Sequence, residues 1–148
     1  MPTPKATICK IKLLRPNAAV PEKTTDGAAC YDLVLPDDIL IPPYQALKVG
    51  LGFAIEVPKG YHAKIFLRSS TGKDTRLRLA NGTGIVDSDY RGEVCLLVDN
   101  TSGYFARAFA GERIAQMMIE KNVPVTFVPT DELSETERND GGFGSTGK

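Results

Sequence analysis

The chain has 148 residues, a length that fits one domain and leaves no room for a second. Eighteen basic and eighteen acidic residues give a formal net charge of zero, so the broad basic surface that drives nucleic-acid binding is not expected. Hydrophobic residues make up 42% and charged residues 24%, which is ordinary globular usage and excludes a fibrous or wholly disordered chain.

The N-terminal sequence and the cysteines indicate the compartment. The opening MPTPKATICK lacks the apolar run of a signal peptide, and no stretch approaches the ~20 apolar residues of a membrane span. Cys9, Cys30 and Cys95 are odd in number and far apart, with no CxxC pair, which predicts neither a disulfide framework nor a zinc site. We therefore expect an intracellular protein, in cytoplasm or nucleus, with no membrane partner.

The first half of the chain predicts short strands, because the apolar pattern between Gly and Pro residues rarely runs long enough for a helix. Residues 9–13 alternate apolar and Lys side chains, as in a half-buried strand. Residues 53–57 also alternate, and Pro58-Lys59-Gly60 then leads into the apolar residues 61–67. This pattern predicts a β-hairpin.

The second half adds three continuous apolar runs. Residues 94–98 are bounded by Gly92 and by Asp99-Asn100, which predicts a strand buried on both faces. Residues 114–119 and 123–128 are similar. Several short strands at near-regular spacing predict an all-β sandwich or barrel.

The composition changes at residue 129. Residues 129–148 are acidic and then glycine-rich, with Leu133 and Phe143 as the large apolar side chains. Such a segment buries too little apolar surface to offset its ordering entropy. We therefore expect a β-domain over residues 1–128 and a mobile C-terminal arm over residues 129–148.

The glycine-rich segment GGFGSTGK has the Gly-xxxx-Gly-Lys spacing of a P-loop at Gly142, Gly147 and Lys148. A P-loop also needs a preceding strand and a following helix, and the sequence predicts neither. Glycine backbone amides with Ser145 and Thr146 could still close on an anion. The alternative is a floppy terminus with no role.

The segment NGTGIVDSDYRG, residues 81–92, places two carboxylates and a phenol in one short stretch. Asn-Gly is a strong hairpin signal, and the glycines leave the backbone open to a ligand. Asp87 could activate water or hold a divalent cation. The alternative is an ordinary acidic turn.

Two further polar groups lie at predicted strand ends. Arg68-Ser69-Ser70 follows a strand and suits a phosphate, although a solvated strand end is the alternative. Gln116 is the uncharged polar side chain in the apolar run IAQMMI, and if buried it needs a partner, either a ligand or the backbone. His62 lies in an alternating strand and is interpreted as structural.

Together these segments resemble the five motifs of the homotrimeric dUTPase family. The matching segments, in chain order, are AACYDL at 28–33, RSS at 68–70, NGTGIVDSDYRGEV at 81–94, GERIAQ at 111–116 and RNDGGFGSTG at 138–147. The resemblance implies an all-β fold of the distorted β-barrel or jelly-roll kind. It also implies Mg²⁺-dependent hydrolysis of dUTP to dUMP and pyrophosphate, which keeps uracil out of DNA and supplies dUMP for thymidylate synthesis.

The resemblance also implies roles for individual residues. Asp87 matches the general base that deprotonates the water attacking the α-phosphorus. Tyr90 matches the ring that packs on the deoxyribose and excludes a 2′-hydroxyl, and Asp32 matches an acid that organises the site and relates to the metal only indirectly. Mg²⁺ would be held mainly by substrate phosphates and waters. The remaining substrate contacts implied are Arg68, Ser69, Ser70 and Gln116 for the phosphates, Asn81, Gly84 and Val86 for the uracil pocket, and Arg138, Phe143, Gly144, Ser145 and Thr146 in the arm.

The sequence departs from the family pattern at three places. Cys30 and Ser70 stand where many members have Gly, and Asn139-Asp140 adds a negative charge after the arm arginine. These departures affect affinity rather than reaction type. Two alternatives are a dCTP deaminase, which would need a catalytic Glu where this chain has CLLV at 95–98, and a non-enzymatic interaction protein. The intact set of Asp87, Tyr90, Arg138 and Phe143 argues against a decayed, non-enzymatic scaffold.

Overall fold

The computed structural model describes Met1 and residues 5–147. Within these residues the chain forms ten strands and one short helix, which confirms the all-β prediction. In chain order the elements are β1 (Lys10–Leu13), β2 (Tyr31–Leu33), β3 (Ile39–Ile41), β4 (Ala46–Glu56), β5 (Tyr61–Leu67), α1 (Ser69–Asp74), β6 (Leu77–Leu79), β7 (Gly84–Val86), β8 (Glu93–Asn100), β9 (Ala106–Ala108) and β10 (Ala115–Lys121). Lys148, the last residue of the P-loop-like spacing, lies outside the described residues.

The strands form three antiparallel sheets. The first sheet has the order β1-β4-β8-β6, the second has the order β2-β10-β5-β7, and β3 pairs with β9. Within the described residues these sheets keep separate edges and do not close into a barrel. Both large sheets contribute to one core, in which Leu51, Phe53 and Val98 of the first sheet join Ile65 and Ala115 of the second. The architecture is therefore two sheets across one apolar interior.

The turn at residues 58–60 forms as predicted, but the hairpin does not. Gly60 has φ +85°, and the Tyr61 amide donates to the Pro58 carbonyl at 3.0 Å. β4 then lies in the first sheet, between β1 and β8, whereas β5 lies in the second, between β10 and β7. The predicted hairpin is wrong because alternation identifies a strand but does not select its pairing partner.

The strand β8 is buried on one face. Val94, Leu96 and Val98 point into the core, whereas Leu97 on the opposite face is 41% exposed. The prediction of a strand buried on both faces is therefore wrong for a single chain.

Residues 123–128 form no strand, contrary to the prediction. The last strand ends at Lys121, and residues 122–147 contain no helix or strand. Val123, Val125 and Phe127 are 80%, 66% and 93% exposed. A strand forms only where a neighbouring strand accepts its hydrogen bonds, and no strand among the described residues of this chain pairs with this segment.

No helix of the described residues is long and apolar enough to span a membrane.

Candidate functional site

A buried carboxylate on β2 anchors two arginines at one end of the second sheet. Asp32 is 6% exposed. Its Oδ1 lies 3.4 Å from Nε of Arg68, and its Oδ2 lies 3.5 Å from Nη1 of Arg113. Oδ2 also accepts a hydrogen bond of 2.8 Å from the Thr24 hydroxyl. Two guanidinium groups held by one acid leave a net positive cluster, which suits an anionic ligand.

The register of β10 brings Gln116 into the same cluster. Gln116 pairs with Asp32 on one side and with Phe66 on the other. Its Nε2 donates to the Leu67 carbonyl at 3.1 Å, so the backbone partner left open by the sequence is present. The second proton of that amide remains for a ligand.

Arg68 joins this strand end to α1. Its backbone amide donates to the Ile114 carbonyl at 3.0 Å, and its Nη1 donates to the Arg113 carbonyl at 3.1 Å. Ser69 and Ser70, the first residues of α1, are exposed. The structure therefore groups the predicted phosphate contacts Arg68, Ser69, Ser70 and Gln116 with Asp32.

Arg113 was not predicted as a site residue. The signal for it was its position three residues before Gln116 at the start of a predicted strand. That position alone does not reveal that the side chain reaches Asp32, because β2 and β10 are far apart in sequence.

Cys30, one of the departures from the family pattern, lies two residues before Asp32. Burial raises the pKa of the Cys30 thiol, and the nearby Asp32 carboxylate raises this pKa further. The thiol therefore stays protonated at neutral pH and adds no charge to the cluster.

The second group of predicted residues lies on the segment between β6 and β8. Gly82 has φ +71°, and its amide donates to the Leu79 carbonyl at 3.0 Å. Gly84 packs so closely on β5 that a Cβ would lie 3.1 Å from Cβ of Ile65. The Asn-Gly turn links the two sheets instead of closing a hairpin, since β6 lies in the first sheet and β7 in the second. Asn81 is exposed beside it.

The catalytic candidate follows directly after β7. Val86 is 7% exposed and anchors the strand in the core, while Asp87 is exposed. The Tyr90 amide donates to the Asp87 carbonyl at 3.2 Å and closes a turn. An exposed carboxylate on a turn fixed by a buried neighbour can accept a proton from a bound water.

Tyr90 is partly exposed and its ring lies over the backbone. Its hydroxyl donates to the Glu93 carbonyl at 3.0 Å. A Cβ on Gly92 would overlap that hydroxyl. Only glycine therefore leaves room for the ring in this position.

Within one chain the two groups are far apart. Val86 pairs with Ala63 on β5, and Arg68 lies five residues beyond Ala63 along the same strand direction. At about 3.3 Å per residue, Val86 and Arg68 are about 17 Å apart along the sheet, and Asp87, one residue farther along the antiparallel register, is about 20 Å from Arg68. Asp87 and Arg68 therefore do not form one site in a single chain.

The arm residues are turned toward solvent. Phe143 is fully exposed. Arg138 donates through Nε to the Gly141 carbonyl at 2.7 Å, and the Ser145 amide donates to the Gly142 carbonyl at 3.0 Å. Gly144 has φ +89° and Thr146 is exposed. Among the described residues, the hydrogen bonds of this segment join its own members.

The residues present fit a magnesium ion that a phosphorylated ligand carries with it. In the described part of the chain, no group of three or more His, Cys, Asp or Glu residues could hold a metal. Both oxygens of Asp32 already have protein partners, which fits an indirect role. Mg²⁺ usually keeps several waters and binds through one or two carboxylates plus substrate phosphates.

Fold and site together define an all-β protein with a cationic cluster around Asp32 and a separate exposed turn that carries Asp87 and Tyr90. A sequence model described as dUTPase matches residues 16–147. The chain belongs to the dUTPase family.

Two relatives extend over nearly the whole chain. The deoxyuridine 5′-triphosphate nucleotidohydrolase of Hydrogenobaculum sp. (strain Y04AAS1) is 44% identical over 138 residues, covering 93% of this chain and 96% of its own. The enzyme of the same name from Nautilia profundicola is 40% identical over 139 residues, covering 94% of this chain and 98% of its own.

Solved structures share the fold. The Staphylococcus bacteriophage 80alpha dUTPase with dUPNHPP superposes with a TM-score of 0.88 at 24% identity, covering 97% of this chain and all of the other. A point mutant of the dUTPase from phage phi11 of S. aureus, described with a structural Mg(II) ion, has a TM-score of 0.77 at 20% identity, covering 85% of this chain and 98% of the other. At these identities the likeness concerns the fold alone.

Proposed function

We propose that this chain hydrolyses dUTP to dUMP and pyrophosphate, as a dUTP diphosphatase. The observation that carries the proposal is that the family match over residues 16–147 includes both polar groups of the structure. The turn with Asp87 and Tyr90 is exposed, and the arginines around Asp32 form a separate cationic cluster. A base pocket and a phosphate cluster are the two parts that a nucleoside triphosphate requires.

The reaction assigned to these residues is a displacement at phosphorus. Asp87 accepts a proton from water while the water oxygen bonds to the α-phosphorus, and the bond from that phosphorus to the bridging oxygen breaks. Pyrophosphate leaves and dUMP remains. Magnesium, held by the phosphates and by waters, would neutralise charge that develops on them.

Recognition of the nucleotide is divided among the other residues. Asn81, Gly84 and Val86 form the edge that meets uracil, and Tyr90 packs on the deoxyribose. Ser69, Ser70 and Gln116 join Arg68 as phosphate donors. In the arm, Arg138, Gly144, Ser145 and Thr146 approach the triphosphate while Phe143 covers the uracil.

The site is proposed to be shared among the subunits of a homotrimer. By the register of β5 and β7, Asp87 and Arg68 are about 20 Å apart, so one chain cannot supply both to one phosphate group. Leu97 and the segment at residues 123–128 expose apolar surface that a neighbouring subunit would bury. Closed rotational symmetry makes all subunits equivalent and gives each site the same composition. Sedimentation at micromolar concentration tests this state, and a monomer would contradict it.

The activity is tested by pyrophosphate release from dUTP, UTP, dCTP, dTTP and the purine deoxynucleotides, each with and without Mg²⁺. We expect release from dUTP alone at an appreciable rate, and a large loss when the metal is chelated. Equal hydrolysis of UTP would remove the role of Tyr90. Ammonia release from dCTP would favour a deaminase instead.

A further inference from the structure

A carboxylate outside the proposed catalytic set connects the Tyr90 turn to the first sheet. Glu93 is the first residue of β8, and its side chain reaches across to β4. Its Oε1 accepts hydrogen bonds from the Gly52 amide at 2.8 Å and from Nη2 of Arg15 at 3.1 Å. Gly52 lies at the register shift of β4, between Gly50 and Ala54, where its amide is released from the ladder with β8.

The Glu93 carboxylate packs tightly against the backbone of β4. A Cβ on Gly50 would lie 2.5 Å from Oε1 of Glu93, so a larger residue at position 50 would displace this carboxylate. Arg15 is held in turn by Asp37 at 2.6 Å and by the Gly50 carbonyl at 3.2 Å. Hydrogen bonds to charged groups are stronger than hydrogen bonds between neutral groups. The contacts of the carboxylate with Arg15 and the Gly52 amide therefore restrain the whole of Glu93, including its backbone.

The backbone of Glu93 is in contact with the specificity residue. Its carbonyl accepts the Tyr90 hydroxyl at 3.0 Å. The other end of Tyr90 is held where its amide donates to the Asp87 carbonyl at 3.2 Å. The ring plane is therefore set between the turn of Asp87 and the start of β8.

We propose that Glu93 is a positioning residue, which fixes the Tyr90 ring through its own carbonyl and so supports rejection of the ribose 2′-hydroxyl. Arg15 and the Gly52 amide are its anchors. This inference deepens the proposed function and rests on it, because selectivity is defined by hydrolysis of dUTP and UTP.

The experiment compares Glu93→Ala with Glu93→Gln, measuring kcat/KM for dUTP and for UTP. We expect Glu93→Ala to lower the dUTP:UTP ratio by about five-fold, the value of one hydrogen bond that holds a group in place. Glu93→Gln keeps an oxygen acceptor for Gly52 and Arg15, and should stay near the wild-type ratio. Asp99→Ala, an acid on the same strand, is the matched control and should leave the ratio unchanged.

Two more variants separate positioning from loss of stability. Gly50→Ala displaces the carboxylate while leaving Glu93 in place, and it should lower the ratio in a folded protein. In a double-mutant cycle, Glu93→Ala should lower the ratio no further once Tyr90→Phe has removed the hydroxyl. An unchanged ratio in Glu93→Ala, or an equal fall in the Tyr90→Phe background, overturns the proposal.

A measurement that does not depend on dUTP hydrolysis tests the position of the Tyr90 ring separately from the proposed function. In protein labelled with 3-fluorotyrosine, the Tyr90 fluorine signal, assigned by its loss in Tyr90→Phe, should shift or broaden in Glu93→Ala. A wild-type protein that leaves dUTP intact would overturn the proposed function, whereas an unmoved fluorine signal would overturn the positioning role alone.

Discussion

At the scale of single residues, Asp87 and Asp32 have different environments, and these fit the different roles proposed for the two carboxylates. Asp32 is buried and held by two arginines and a hydroxyl, so its oxygens are already committed. Asp87 is exposed on a turn, where its oxygens remain available to a water molecule. A general base must lie within hydrogen-bond reach of the proton that it removes, and of these two carboxylates Asp87 is the one with free oxygens.

Replacement of Asp87 by Asn should abolish turnover while preserving binding. The amide keeps the size of the side chain but is a very poor base, and a positioned base contributes ~10² to 10⁴-fold. Pyrophosphate release measures the first effect, and calorimetry with a non-hydrolysable dUTP analogue measures the second. Asp89→Asn is the matched control on the same turn and should keep turnover. Near-normal turnover in Asp87→Asn would transfer the role to Asp89.

Tyr44 is a second residue whose conformation has a measurable consequence. It has φ +55° and is 74% exposed, and a bulky side chain in the left-handed region costs about 1 kcal/mol or more. Tyr44→Gly should therefore raise the thermal midpoint of unfolding by about 2 °C to 4 °C. Thermal unfolding monitored by circular dichroism measures this midpoint. Gln45→Gly, at the next position, is the control and should lower it. A fall in both would show that the Tyr44 ring stabilises more than its backbone costs.

At the scale of elements, the segment after β10 differs from the sheets that precede it. The strands share a single buried core, whereas residues 122–147 form no helix or strand and expose most of their apolar side chains. The proposed boundary of the mobile arm at residue 129 separates an apolar stretch from an acidic and glycine-rich one. The second stretch has few contacts to lose, so we expect its order to depend on the ligand.

Deletion from Arg138 onward should leave the thermal midpoint of the unliganded protein almost unchanged. The same deletion should reduce turnover strongly, because closing segments position the substrate and exclude water. Phe143→Ala should have a milder effect, since it removes the ring and keeps the backbone donors. Leu133→Ala, outside the glycine-rich motif, is a control that should remain active.

Limited proteolysis gives an independent test of the same element. Cleavage in the arm should slow when a non-hydrolysable dUTP analogue and Mg²⁺ are added. Full activity after truncation, or equal cleavage with and without the analogue, would return GGFGSTGK to the interpretation of a terminus with no role.

At the scale of the whole molecule, the separation between Asp87 and Arg68 is the basis for the proposal that each site draws on more than one chain. Asp87 and Tyr90 lie on one turn, so in such an oligomer one subunit would supply both. Arg68 and Asp32 lie at the opposite end of β5 and belong to the part that a neighbouring subunit would supply.

Mixed oligomers test this division. Asp87→Asn and Arg68→Ala should each be nearly inactive alone, and unfolding and refolding them together should recover part of the activity, because some sites then draw both intact residues from different subunits. Asp87→Asn mixed with Tyr90→Ala is the control and should recover none, since both residues come from one turn. No recovery in the first mixture would contradict a shared site.

The sequence alone determined the class of fold and the chemistry of the site residues. Apolar alternation and frequent Gly and Pro report strand formation locally, and the residue types of Asp87, Tyr90 and Arg68 carry their chemistry wherever they lie. The low apolar content of residues 129–148 is likewise visible without coordinates.

The tertiary structure decided which groups meet. It placed β4 and β5 in different sheets, left residues 123–128 without a partner strand and exposed Leu97. It also brought Arg113 to Asp32, and the Glu93 carboxylate to the Gly52 amide. These results depend on contacts between residues distant in the chain, and a local pattern of apolar and polar residues contains no information on such pairing.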